Sequence, residues 1–183
     1  MSRVQPLVYS ELAPDTQRIY KSIAGQRGGT VDGPFRVWLL ANPELASRMN
    51  DVGDTLRMKG TLDKKLFELA VLSVARFWDC NYQWSAHVPL ALHVGLTRET
   101  VEDIGNRRRP NSMPDDQVLI YELAVTLLLQ HAIPQAIYEE VIQLIGFEQT
   151  VELVTTIGQY SMAAIVLNAF AIEPLVESES LPR

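Results

Sequence analysis

Between Leu66 and Ala75 the sequence LFELAVLSVA leaves no polar face on a helix. Leu66, Phe67, Leu69, Val71, Leu72 and Val74 lie on all sides of the axis. A surface helix would keep one side polar, so this segment predicts a helix buried on most sides. Glu68 lies inside the apolar run. An ionised carboxylate there costs several kcal/mol unless paired, so Glu68 must find a partner or hold a proton. A second helix follows a break near Asp79. It sets Cys80, Gln83, His87 and then Leu90 or Ala91 at steps of three and four, which stacks a thiol, an amide and an imidazole along one stripe. Residues 66–96 thus form the core motif, around which the rest of the chain is arranged.

The remaining segments read as helices separated by turns. Pro14 and Asp15 start a helix through Ile19, Tyr20 and Ile23, because proline loses nothing at a first turn. QRGGTVDGP (residues 26–34) is a glycine-rich connection without the lysine and serine or threonine of a phosphate-binding loop. Its Arg27 and the following Phe35 could line a pocket. Short helices are expected over 35–40 and, capped by Asn42, over 44–58. Gly60 stops the latter, and Thr61 or Asp63 caps the buried helix. RRRPNSMPDD (residues 107–116) resembles a linker, with Arg107, Arg108 and Arg109 read as a solvated patch, and divides the chain into two helical halves. Helices are then expected from Asp115 or Asp116 to His131, from Pro134 to Gly146, and over 147–170. Residues 173–183 read as a polar, flexible tail. No stretch alternates as a strand would, so the fold class is all-α.

At 183 residues the chain suits a single domain, spanning 1–183. With 47% hydrophobic and 21% charged residues it has the composition of a soluble globular protein. A formal net charge of −6 argues against nucleic-acid binding, which needs a basic field. One cysteine excludes an intrachain disulfide, and with three histidines it argues against a metal cage. The absence of a charged-then-apolar leader and of a run of about 18 apolar residues leads to the expectation of a cytoplasmic chain without a membrane span.

Several residues could carry chemistry. His87 is either a core histidine with a backbone partner or, beside Glu68, half of a proton relay. Cys80 is either a small buried hydrophobe or, facing His87, an activated nucleophile. Tyr82 and Trp84 read first as packing residues and second as substrate contacts. Arg76, ending the buried helix, is either solvated or a carboxylate anchor.

Glu68, Ala75-Arg76, Tyr82-Gln83-Trp84 with His87, Ala91 and Gly95-Leu96 together resemble the carboxymuconolactone decarboxylase and AhpD-like superfamily. GPF at 33–35, NPELA at 42–46 and LNAF at 167–170 are similar to a longer decarboxylase-like branch. The resemblance implies an AhpD-like helical bundle that assembles as a homotrimer or homohexamer. Its acid–base or thiol chemistry would sit between helices, often near a subunit boundary, with no cofactor. The peroxidase branch has a glutamate, two cysteines separated by two residues, and a histidine four residues later. Glu68, Cys80 and His87 fall on that frame, but Gln83 replaces the second cysteine, so no intramolecular disulfide cycle can run. The decarboxylase-like branch has Tyr-Glu-Trp where this chain has Tyr82-Gln83-Trp84.

The leading expectation is a lyase that decarboxylates a small carboxylated lactone or aromatic ring-cleavage product. His87 would act as general acid, Glu68 would orient it, Gln83 would donate a hydrogen bond to the developing charge, and Arg76 would anchor a carboxylate. Two alternatives remain: a thiol peroxidase using Cys80 with an external thiol, and an oligomeric small-ligand binder that has lost the chemistry.

Overall fold

The computed structural model describes residues 2–174 and 179–182, and among them the regular structure is entirely helical. The elements are α1 (Pro14–Gln26), α2 (Pro34–Ala41), α3 (Pro43–Asp54), a wider π turn (Thr55–Lys59), α4 (Lys64–Phe77), α5 (Asn81–His93), α6 (Arg98–Gly105), α7 (Asp115–Gln130) and α8 (Gln135–Ala169). Pro14, Pro34 and Pro43 open α1, α2 and α3 at their first turns. Asn42 caps α3 through the Leu45 N–H. Asp63, rather than Thr61, caps α4 by accepting from the N–H groups of Lys65 and Leu66.

The architecture turns on α4. Every residue from Leu66 to Ala75 is buried, and the helix packs against α5, α7 and α8 at once. Large apolar side chains on three sides contribute about 1.5–3 kcal/mol each, so the all-round apolarity of the sequence has a direct structural cause. α1, α2 and α3 form a smaller cluster around Ile23, Trp38 and Leu39, against which Met162 and Val166 of α8 also pack. The segment 107–116 runs along one continuous core, because α4 meets α7 across it. Its three arginines are each ion-paired: Arg107 with Asp79, Arg108 with Asp103 and Arg109 with Glu122.

Two other segments differ from the sequence reading. The expected helix over 44–58 is helical only to Asp54 and widens into the π turn, which ends at Gly60. The expected tail over 173–183 is docked in its described part. Arg76 donates to the Pro182 carbonyl at 2.7 Å, Ser85 to the Glu179 carbonyl at 3.0 Å, and the Leu181 N–H to Asn81 at 2.8 Å. The rest of that expectation falls on residues 175–178 and 183, outside the described residues. The boundary expected at Gly146 is a break inside α8. Its φ of 77° and ψ of 170° are backbone angles that glycine adopts and other residues essentially do not.

Candidate active site

The carboxylate inside the apolar helix has a partner. Glu68 of α4 meets Nδ1 of His87 on α5 at 2.7 Å, with both residues over 90% buried. α4 and α5 pack side by side, so the pair spans the helix interface rather than one surface. The carboxylate holds the ring in one orientation, and with the Nδ1 proton directed at it, Nε2 is the nitrogen left for other chemistry. Among the described residues Nε2 has no protein hydrogen-bond partner.

His87 forms part of the wall of a cavity of about 260 Å³ that is partly open to solvent. Tyr82, Gln83, Ala86 and Leu90 of α5 line it beside His87, and α8 contributes Gln159, Tyr160 and Ala163. Arg27, Asp32, Phe35 and, from the π turn, Arg57 also line it. The Arg27 guanidinium lies over the Phe35 ring at 4.0 Å, and its Nε donates to Asn50 at 2.9 Å. Burial holds Arg27 below its ordinary pKa, with the neighbouring Arg57 charge adding to that. Tyr82 donates to Asp32 at 3.0 Å, and burial with that carboxylate raises its phenol. Gly33 at φ 63° passes so close to the Tyr82 ring that a Cβ there would lie 2.9 Å from it, which only glycine allows. Tyr160 stands edge-on to His87 and is pushed up to about 12, chiefly by burial.

The structure thus brings Glu68, His87, Gln83, Tyr82 and Phe35 to one place and leaves three expected residues out. Cys80 is fully buried among Val37, Ala164, Leu167 and Ile172, and does not line the cavity. It precedes the first turn of α5 with extended backbone, so the three-and-four stripe does not include its side chain. Burial raises its thiol to about 11, although the Gln83 and Tyr82 amides pull the other way. Arg76 faces Asp79 at 3.0 Å and the docked tail, so it is no anchor for a ligand in the cavity. Trp84 belongs to the core beside α4.

Gln83 is present but turned unlike its expected role. Its Nε2 points at the Val71 carbonyl, 3.4 Å away, and its Oε1 is buried with no partner among the described residues. One amide N–H is thus directed into the core, and the oxygen is enclosed rather than presented to the cavity. Arg57, Asp32 and Tyr160 were missed by sequence reasoning. No sequence signal singled them out, since only the fold brings them to the histidine.

Residues 43–110 match the model of the Carboxymuconolactone decarboxylase family. Among solved structures, one similar chain is the alkylhydroperoxidase AhpD core, an uncharacterized peroxidase-related protein from Ralstonia eutropha JMP134. It is 17% identical with a TM-score of 0.76, over 94% of this chain and 92% of that one. Another is an uncharacterized peroxidase-related protein from Silicibacter sp. TM1040, 19% identical with a TM-score of 0.77, over 96% of this chain and 93% of that one. At such identities the likeness establishes the fold. No curated protein matches the chain in sequence.

Proposed function

We propose, for a chain of AhpD-like fold whose residues 43–110 match the carboxymuconolactone decarboxylase family, that the cavity is the active site of a lyase acting on a small carboxylated substrate. The carrying observation is the buried Glu68–His87 pair at 2.7 Å in the wall of an open cavity. Arg27 and Arg57, against the single carboxylate of Asp32, give the lining a net positive charge that favours an anionic ligand.

The proposed chemistry is a proton transfer coupled to loss of carbon dioxide. The bond between the carboxylate carbon and its neighbour breaks, carbon dioxide leaves, and the electron pair stays on the substrate as an enolate. Tyr160, a phenol at neutral pH, donates a hydrogen bond to the enolate oxygen. The imidazolium Nε2–H of His87 then gives its proton to the carbon, and water restores that proton. Glu68 holds the ring through Nδ1 in both states. In this reading Tyr160 takes the donor role expected of Gln83, and Arg57 with Arg27 the anchoring role expected of Arg76.

The thiol reading lacks support: Cys80 is sealed, protonated at neutral pH and outside the cavity. Self-association belongs to the proposal, since α8 exposes Phe147, Val151 and Ile165, apolar surface that a second copy would cover. The deciding experiment measures carbon dioxide release from a panel of small carboxylated lactones and β-keto acids. Turnover that disappears in His87→Gln supports the proposal; turnover that survives unchanged overturns it.

A further inference from the structure

Arg57 reaches the cavity from the one π turn among the described residues, Thr55–Lys59. Bonds from residue i to i+5 put more residues into each turn than an α-helix has. Side chains therefore leave the axis in other directions than an α continuation of α3 would give. The turn is fixed at its exit. The Glu152 carboxylate of α8 accepts from the Thr61 N–H at 2.9 Å and the Leu62 N–H at 2.8 Å, both through Oε2. Gly60 is hemmed in on two sides: a Cβ there would lie 2.6 Å from the Leu56 carbonyl oxygen and 3.1 Å from Glu152 Oε2. Any other residue at this position would have to displace one of them. Lys64 donates to the Arg57 carbonyl at 2.6 Å and ties down the backbone of the arginine itself. From this turn the Arg57 charge acts on both Arg27 and Tyr160, which line the cavity with it.

We infer that Glu152 and Gly60 are positioning residues of the ligand site: they hold the π turn in the form that delivers Arg57 to the cavity, where its guanidinium pairs with the ligand's carboxylate. Neither residue lines the cavity, and each acts through Arg57. This rests on the cavity taking an anionic ligand, as proposed above, and not on the decarboxylation step. The sign of the effect separates positioning from charge. Removing the negative Glu152 would by electrostatics alone strengthen the binding of an anion. Losing the turn withdraws a guanidinium and weakens it.

Dissociation constants for benzoate and the smaller furoate, measured by titration calorimetry on the full chain, test this. Arg57→Ala should bind these acids about tenfold more weakly than the wild type, the loss of one charge-assisted pair. Glu152→Ala should lose most of the same factor. Glu152→Gln should retain most of the affinity, because one oxygen in the place of Oε2 still accepts from both N–H groups. The double variant Arg57→Ala/Glu152→Ala should bind no more weakly than Arg57→Ala alone, which a general loss of structure would not produce. Unchanged or tighter binding in Glu152→Ala, undiminished affinity in Arg57→Ala, or losses that add in the double variant overturns the inference and leaves the cavity as the ligand site. No binding of either acid by the wild type overturns both. Should Glu152→Ala fail to fold, Gly60→Ala takes its place in the same cycle and is read by the same outcomes.

Discussion

The rings of His87 and Tyr160 stand edge to face, their centroids 5.1 Å apart and their planes at 88°. Tyr160 makes a second such contact with Phe67 of α4 at 5.6 Å. Its ring is therefore held between the helix that carries the glutamate and the one that carries the histidine. The hydroxyl, at the far end of the ring, has no protein hydrogen bond among the described residues. Packing fixes the ring and leaves the oxygen available.

Tyr160→Phe separates those two contributions. The ring contacts persist, so urea unfolding should shift by less than about 0.5 kcal/mol. Turnover should fall about 10²–10³-fold, the usual consequence of removing one donor aimed at a developing charge. Steady-state kinetics beside an unfolding curve checks both, and an unfolding shift with no loss of turnover would make Tyr160 a packing residue only.

Glu68 and His87 should behave as one unit in stability. Removing one member leaves the other buried and uncompensated, so Glu68→Leu or His87→Leu alone should destabilise by about 3–5 kcal/mol. The double variant places two apolar groups of suitable size at the interface and should lose less than the sum of the single losses. A double-mutant cycle measured by denaturant unfolding gives the interaction directly. Additive losses would mean that the 2.7 Å contact does not couple the two groups energetically.

Cys80 makes alkaline stability the informative axis. Its thiol is raised from 9.0 to about 11, so the folded chain holds the proton more tightly than the unfolded one. That stabilisation is complete below pH 9 and is lost as pH rises towards 11, amounting to about 2–3 kcal/mol at most. Unfolding free energies between pH 8 and pH 11 should fall less steeply for Cys80→Ala than for the wild type. In the same way, iodoacetamide at pH 8 should label the thiol only in denaturant. Rapid labelling of the native protein would return Cys80 to the list of nucleophiles.

The Glu68–His87 pair was legible because both signals are local: a charge where apolar periodicity forbids one, and an imidazole on the adjacent helix. The helical fold was legible for the same reason, through all-round apolarity in α4 and the proline starts of α1, α2 and α3. For Cys80 the reading as a small buried hydrophobe agrees with its place in the core, whereas the stripe that set it beside His87 fails because steps of three and four assume helical backbone and that residue lies just before it. Arg76 was misread because its partners, Asp79 and the docked Pro182 carbonyl, come from a turn and from a tail over a hundred residues away. Arg57 and Tyr160 gave no periodic signal: one sits in a π turn that breaks the 3.6-residue repeat, the other is a tyrosine in a long apolar helix. Only tertiary packing brings either to the histidine.

The close approach of Gly33 to Tyr82 determines which parts of this cavity can be redesigned. A library that varies position 33 would be dominated by misfolded or rearranged clones, because any side chain meets the phenol ring before it meets a ligand. Ala86 and Ala163 are the small residues that line the cavity. Changes of ligand size are best sought there, with the glycine left untouched.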